Sequence, residues 1–184
     1  TFRTGGYIPV AENERGLADT RANSRHNNGI FSIERRFGRA DAKPPADAGG
    51  TDDKLVTGRI FFRGNLFDER RDNGTSLTYN KTYFRQAAGG ADVLHHQVGE
   101  FRFRAFIESQ VYDQSFSAVS ADRNSETLSR LQRVPSQAIG TSLFWTKPFR
   151  SHTLAASFET REVRGFSDEV GYTAGRPTSV SGSG

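Results

Sequence analysis

The sequence contains no cysteine and no methionine, and only one of its 184 residues is tryptophan. The absence of cysteine excludes disulfide bonds and metal sites built on thiolates. No run of about 20 apolar residues occurs, which is the length that a membrane-spanning helix needs. A disulfide scaffold and a helical membrane protein are therefore both excluded.

The residues that are present favour a β protein. Hydrophobic residues make up only 34% of the chain, whereas glycine occurs 19 times and phenylalanine 15 times. This composition is typical of strands, turns and aromatic anchors rather than of a helical bundle. The formal net charge is +4, and the basic residues are scattered among acidic ones. We therefore expect no nucleic-acid partner.

The stretch FRFRAFIESQVY, residues 101–112, alternates apolar and charged residues almost one for one. Alternation with a period of two predicts a strand with two unlike faces. One face carries Phe103, Ala105, Ile107 and Val111, and the other carries Arg102, Arg104, Glu108 and Gln110. Phe106 and Tyr112 interrupt the polar face. The alternation alone does not decide which face is covered and which is wet.

Similar segments occur along the whole chain and predict an all-β fold. They are residues 30–37, 55–69, 82–93, 101–113, 139–145 and 154–163. The segment 82–93 has the weakest pattern because Ala87, Gly89 and Ala91 are small, although small residues do occur where a sheet curves. The prediction is an antiparallel up-and-down meander of about six long strands.

The connections between these strands differ in length. Residues 94–100 and 147–150 form short connections, whereas residues 68–81 and 116–136 are long and polar, and residues 38–52 form a loop rich in Pro, Ala, Gly and Asp. A meander with long loops at one end and short turns at the other is typical of a transmembrane β-barrel. A soluble antiparallel sandwich or barrel remains the alternative.

Three features favour the membrane barrel, of which this chain would form a part. Several strands exceed ten residues, enough to cross a tilted path through a bilayer. Aromatic residues gather at one end of the strands, as at a membrane interface: Phe37, Phe101, Phe103 and Trp145. The opposite face carries charges suited to a water-filled lumen, and the predicted lumen-lining residues are Arg59, Arg63, Arg102, Arg104, Glu108, Glu159 and Arg161.

No motif in the sequence strongly indicates a catalytic or metal-binding site. His95 and His96 are adjacent and would point to opposite faces of a strand, so a turn is the better interpretation. Asp122, Asn124 and Glu126 have the every-second-residue oxygen spacing of calcium loops, but the glycine that such loops require is missing. We interpret them as a polar turn. No phosphate-binding loop or paired-carboxylate pattern occurs. The sequence predicts no enzyme, no cofactor and no metal site.

Several whole phrases resemble one family. They are QVYDQSFSAVSADRNSETLSRLQRVPSQAIG (110–140), GNLFDERRDNGT (64–75), HTLAASFETREVRGFSDE (152–169) and AENERGLAD (11–19). They resemble the barrel domain of bacterial TonB-dependent outer-membrane receptors. The resemblance implies a closed barrel with an N-terminal plug, which imports scarce ligands such as siderophores, cobalamin or saccharides with TonB-coupled energy.

The resemblance leads to specific expectations for this chain. Residues 1–184 are expected to be an internal piece of such a barrel domain, with the plug domain and the remaining strands outside it. The expected location is the bacterial outer membrane. The expected partners are outer-membrane lipid, a small-molecule ligand, and the TonB complex acting through the plug domain. The excess of arginine among the lumen candidates is compatible with an anionic ligand, and paired structural charges explain the same residues equally well. The alternative function is a soluble secreted β-domain that binds carbohydrate or protein.

Overall fold

The structure, a computed structural model, describes residues 1–38 and 56–183, and in them nine strands form one antiparallel sheet. The strands are β1 (Phe2–Tyr7), β2 (Ala22–Phe37), β3 (Val56–Asp72), β4 (Tyr79–His95), β5 (Gly99–Val119), β6 (Glu126–Phe149), β7 (His152–Gly165), β8 (Ser167–Thr173) and β9 (Arg176–Ser183). Among the described residues, the helical content is a single 3₁₀ turn, Glu12–Glu14, and no helix is long and apolar enough to cross a membrane.

The strands follow one another across the sheet in an up-and-down path. β7 and β8 both pair with β6, and the two pairings share one register. The break between them lies opposite Pro135: the backbone N–H of Phe166 donates to the carbonyl of Pro135 at 3.2 Å, but proline has no N–H to return a second bond. β7 and β8 are therefore one long strand interrupted at Phe166. The sheet is open and is not closed into a barrel.

The all-β, up-and-down prediction is confirmed, and the described residues of all six predicted segments lie within strands; the sheet has nine strands in the described residues, not about six. The prediction of two long polar loops, at residues 68–81 and 116–136, is wrong. β3 and β4 leave only residues 73–78 between them, and β5 and β6 leave only residues 120–125. The strands extend into segments whose two faces are polar or mixed, where the period-two pattern disappears. The loop expected at 38–52 falls, apart from Gly38, outside the described residues.

The sheet has almost no hydrophobic core. Ala18 and Ala138 are the buried hydrophobic residues among those that the structure describes. The accessible surface is 13395 Å², whereas a compact folded monomer of 20.4 kDa exposes about 8,800 Å². The large apolar side chains that a soluble domain would bury lie instead on an open face of the sheet.

The register defines two faces, because cross-strand partners and every second residue along a strand share a face. The apolar face carries Phe31, Ile33, Ile60, Phe62, Leu66, Phe103, Ile107, Ile139, Leu143 and Phe158. Phe62 is 45% exposed and Phe158 is 64% exposed. No layer of the described chain covers this face.

An aromatic row crosses the apolar face at the end of the sheet with the short turns. Phe37, Gly58, Val93, Phe101 and Trp145 are successive cross-strand partners from β2 to β6. The indole N–H of Trp145 donates to the carbonyl of Val98 in the β4–β5 turn at 2.9 Å. Three of the four aromatic residues predicted to gather at one end lie in this row, and the fourth, Phe103, lies two positions away on the same face of β5.

Candidate functional site

The seven predicted lumen-lining residues share the face opposite to the apolar one, which we call the charged face. In the sheet, Arg59 lies directly opposite Asp92, and Asp92 lies directly opposite Arg102. The other candidates share their face because they lie an even number of positions along the same strands or opposite such positions on neighbouring strands. The register thus brings together Arg59, Arg63, Arg102, Arg104, Glu108, Glu159 and Arg161. Five arginines and two glutamates give the set an excess of positive charge.

Asp92, near the end of β4 beside the aromatic row, is the centre of an ion-pair network on the charged face and was not predicted from the sequence. Its carboxylate accepts hydrogen bonds from Arg59 Nε at 2.6 Å and from Arg104 Nη2 at 2.5 Å. Arg59 also donates to Glu34 at 3.2 Å, and Glu34 pairs with Arg36 at 2.9 Å. One aspartate therefore holds two arginines from the strands on either side of it.

The ring of Phe61 lies beneath three guanidinium groups. The distances from its centroid to the guanidinium carbons are 5.6 Å for Arg59, 5.3 Å for Arg63 and 5.0 Å for Arg104. Each distance is within the range of a cation–π contact. Phe61 pairs directly with Gly90, and a side chain at that position would meet the Phe61 ring and the Phe103 carbonyl. Gly90 thus lets the ring lie flat against the sheet.

We call this group the Phe61 cluster; it comprises Glu34, Arg36, Arg59, Phe61, Arg63, Asp92 and Arg104. Four arginines face two carboxylates, so the cluster has two positive charges in excess. Arg63 has no acidic partner within the described part of the chain. The cluster can therefore accept an anionic group.

The remaining candidates form smaller pairs. Arg102 donates to Glu100 at 2.6 Å and lies 5.9 Å from the centroid of the Phe144 ring. Glu108 accepts a hydrogen bond from Gln86 at 3.3 Å and lies 3.6 Å from Arg161. Glu159, on β7, has no ion-pair partner among the residues described. These groups extend the charged face without joining the Phe61 cluster.

Phe106, which interrupts the polar pattern of β5, has a structural role on the charged face. It pairs with Gly140 on β6, and a Cβ at Gly140 would lie 2.5 Å from the edge of its ring. Covering a strand glycine with a cross-strand aromatic ring stabilises a sheet. The guanidinium of Arg161 lies 5.8 Å from the centroid of the same ring. Phe61 and Phe106 thus follow one pattern, an aromatic ring between a glycine and arginine.

At the other end of the sheet, the segment between β1 and β2 folds over the neighbouring turns. Thr20 donates its N–H to the Gly74 carbonyl at 2.8 Å, and Ala18 donates to the Arg123 carbonyl at 2.9 Å. The guanidinium of Arg123 binds both carboxylate oxygens of Asp19, with Nε 2.9 Å from Oδ2. The Asp19 side chain is 1% exposed. This ion pair fastens the segment to the β5–β6 turn.

Hydrogen bonds lower the pKa of the carboxylates in these loops. The bond from Arg123, with a second from the Gly16 N–H, lowers the pKa of Asp19 from 3.8 to about 2. The Ser120 hydroxyl and the backbone N–H of Asn124 lower the pKa of Asp122. Burial raises the pKa of Glu126, but bonds from Ser117, Thr75 and the Leu77 N–H outweigh it, so the net shift is downward.

These contacts confirm the turn interpretation of the oxygen-rich loop. Asp122 accepts from Ser120 at 2.6 Å and from the Asn124 N–H at 3.2 Å, as a turn-forming side chain does. Glu126 points away toward Ser117, at 2.6 Å. His96 lies in the turn after β4, as predicted, whereas His95 is the last residue of the strand. Over the described ranges, no group of three or more His, Asp or Glu side chains could share a metal ion.

Comparisons of this chain with protein-family models, with curated proteins and with solved structures find no match. The resemblance to TonB-dependent receptors therefore stays a prediction.

Proposed function

We propose that the chain forms part of the wall of an outer-membrane β-barrel that imports a scarce ligand in the manner of a TonB-dependent receptor. The observation that carries the proposal is the uncovered apolar face of a sheet without a core. Exposed apolar surface of this extent marks a contact with lipid or with a partner. Lipid can cover the apolar residues of this face together, since strands in a bilayer turn their apolar residues outward. The same face also carries Arg35, Arg85 and Glu162, opposite Ile60, Leu66 and Ile139.

The dimensions of the apolar face support a bilayer. On β5 the outward residues remain apolar or small from Phe101 to Val111, which is about 34 Å along the strand and about 25 Å in height at the usual tilt of about 40°. The aromatic row, with Trp145 and Phe101, bounds the face at one end. Tyr83, 42% exposed, lies near the other end. Aromatic residues at both boundaries are typical of such barrels.

The charged face then lines a wet lumen. Its arginines pair with Asp92 and stack on Phe61, an arrangement that keeps them in fixed positions while water hydrates them. The two excess positive charges of the Phe61 cluster favour an anionic ligand. Ligand passage would need the neighbouring strands that complete the wall, because a bilayer does not tolerate open sheet edges. Energy coupling would need a plug domain in contact with the TonB complex.

The single tryptophan provides the test, because it lies on the apolar face and its neighbour Phe144 lies on the charged face. In phosphatidylcholine vesicles, Trp145 emission should shift to the blue and should be quenched by lipids brominated in the upper acyl chain. In the double variant Phe144→Trp, Trp145→Phe, the same fluorophore moves to the opposite face. Its emission should be quenched by aqueous acrylamide instead. Equal quenching of both proteins by brominated lipid would refute the proposal.

The aromatic row also supports the alternative, a secreted β-domain that binds carbohydrate or protein. Aromatic rings in a line can stack on sugars, and the half-buried Phe37, Phe101 and Trp145 form such a line. This alternative requires a chain that stays monodisperse in buffer without detergent, which analytical ultracentrifugation measures. The lipid proposal requires aggregation under those conditions.

A further inference from the structure

A row of four basic residues crosses the apolar-face side of the sheet beyond the apolar residues, at the end opposite to the aromatic row. Arg3 on β1 pairs with Arg25 on β2, Arg25 pairs with Arg70 on β3, and Arg70 pairs with Lys81 on β4. We call these residues the cation row. Adjacent strands lie about 4.8 Å apart, so like charges are direct neighbours at three consecutive steps.

Like charges directly across a ladder destabilise a sheet, and acidic residues do little to offset this row. Arg70 pairs with Asp72 at 3.1 Å. Arg3, Arg25 and Lys81 make no ion pair with any residue that the structure describes. Beyond Lys81 the cross-strand row continues with Asp113 and Arg133, which form an ion pair with each other. The unbalanced charge is thus confined to β1 through β4.

The cation row has room for an anionic group. A cleft of about 420 Å³ is lined by Arg3, Arg25 and Arg70, together with Thr4, Asn23, Ser24 and the carboxylate of Asp72. The guanidinium carbon of Arg70 and the Nζ of Lys81 lie 5.3 Å and 5.1 Å from the centroid of the Tyr79 ring. Three arginines and one aspartate therefore line the same cleft, which leaves it two positive charges in excess.

The depth of the row matches that of lipid headgroups. From Leu66, an exposed apolar residue of β3, to Arg70 is about 14 Å along the strand, or about 10 Å in height at a tilt of about 40°. Headgroup layers extend roughly 5 to 8 Å beyond the hydrocarbon, and an arginine side chain can reach back toward them. Lys81 follows directly beyond Tyr83, the exposed aromatic residue of that strand.

We propose that the cation row binds the phosphate groups of anionic lipid headgroups in the leaflet at this end of the sheet. The phosphates neutralise charges that otherwise repel one another, and their lipid tails pack on the apolar face below. This inference rests on the proposed function, because it requires the apolar face to lie in lipid. It adds a specific lipid class and a specific leaflet to that function.

The test uses the full chain in neutral maltoside micelles, with dioctanoyl phosphatidylglycerol titrated in and its binding followed by ³¹P NMR. The triple variant Arg25→Gln, Arg70→Gln, Lys81→Gln should bind about 100-fold more weakly, since each basic residue at an anionic surface contributes about fivefold. The control triple variant Arg15→Gln, Arg150→Gln, Arg176→Gln lowers the formal net charge equally, from +4 to +1. Its affinity should stay within about twofold of the parent, since none of its positions lies in the row.

Several results would overturn the inference. Equal binding by the two triple variants would show that net charge alone attracts the lipid. Equal affinity of the parent chain for phosphatidylglycerol and phosphatidylcholine would exclude a phosphate preference without recourse to any variant. Complete competition by millimolar inorganic phosphate would identify free phosphate as the ligand. Each result leaves the Trp145 quenching test unaffected, so failure of this inference is distinguishable from failure of the proposed function.

Discussion

Ala87 and Ala88 are adjacent residues of β4 that face opposite sides of the sheet. Ala87 pairs with Gly64 and Ile107 on the apolar face, whereas Ala88 pairs with Arg63 and Phe106 on the charged face. Ala87 lies about midway between Val93 of the aromatic row and Tyr83. The substitutions Ala87→Arg and Ala88→Arg therefore introduce the same side chain, one residue apart, into two environments that the proposed function makes very different.

The expected difference is large. An arginine on the lipid face near the bilayer midplane costs about 2 to 4 kcal/mol, which lowers the folding equilibrium constant by about 30- to 1000-fold. An arginine at position 88 meets water and the neighbouring Arg63, a repulsion of less than about 1 kcal/mol in hydrated surroundings. Ala88→Glu removes even this repulsion, because the carboxylate lies opposite a cation.

The assay is reversible unfolding by urea of the chain folded in phosphatidylcholine vesicles, where the open edges of neighbouring copies can pair with one another, monitored by the emission of its single tryptophan. The quantity compared is the free energy of unfolding of each variant relative to the parent chain. The order expected is Ala88→Glu close to the parent, Ala88→Arg slightly lower and Ala87→Arg lowest. If Ala87→Arg and Ala88→Arg lose equal stability, or if Ala88→Arg loses more, the assignment of the two faces to lipid and lumen is wrong.

Two further predictions concern the loops and the close approach of strands. Since the folded-state pKa of Asp19 is about 2 and its ordinary value is 3.8, the Asp19–Arg123 pair stabilises the loops above pH 3.8 and loses this effect as the pH falls toward 2. Hydrogen exchange of the Ala18 amide, corrected for its intrinsic rate, should accelerate over that interval, and in the Asp19→Asn variant it should be fast throughout. Unchanged protection of this amide would contradict the role of the pair. Gly90→Ala should lower the free energy of unfolding in maltoside micelles by about 2 to 3 kcal/mol, because the new methyl group overlaps the Phe103 carbonyl. The control Gly29→Ala should have little effect, because the nearest atom to its methyl group would be Leu66 Cβ at 3.9 Å. Equal losses in the two variants would exclude the overlap as the cause.

Much of the fold could be predicted because alternation is a local property. Each predicted segment lies in a strand, and the seven charged candidates share one face, since a residue's face depends only on its parity once the strand is known. The loop lengths could not be predicted. In residues 116–136 both faces of the extended strands mix polar and apolar residues, and Leu128 and Leu131 lie an odd number of positions apart in the sequence, so no alternation marks a strand.

The ion-pair network around Asp92 could not be predicted from the sequence for a related reason. Asp92 lies in the segment with the weakest alternation, and its importance comes from Arg59 and Arg104, which reach it from two different strands. The sequence did contain a sign of a polar face: Asp92 is an acidic residue that follows a run of alanine and glycine, and it lies on the same face of the strand as Gln86. The Asp19–Arg123 pair joins residues 104 positions apart, and no local pattern indicates it.

The sequence by itself determined that the chain forms strands, that each strand has an apolar and a polar face, and that aromatic residues gather at one end, because each of these follows from the order of neighbouring residues. Only the tertiary structure decided the register. The register places Phe106 over Gly140, three arginines over Phe61 and four cations in one row. A slip of one residue would turn a strand's side chains to the other face, so these arrangements depend on the pairing of distant segments and not on any one of them.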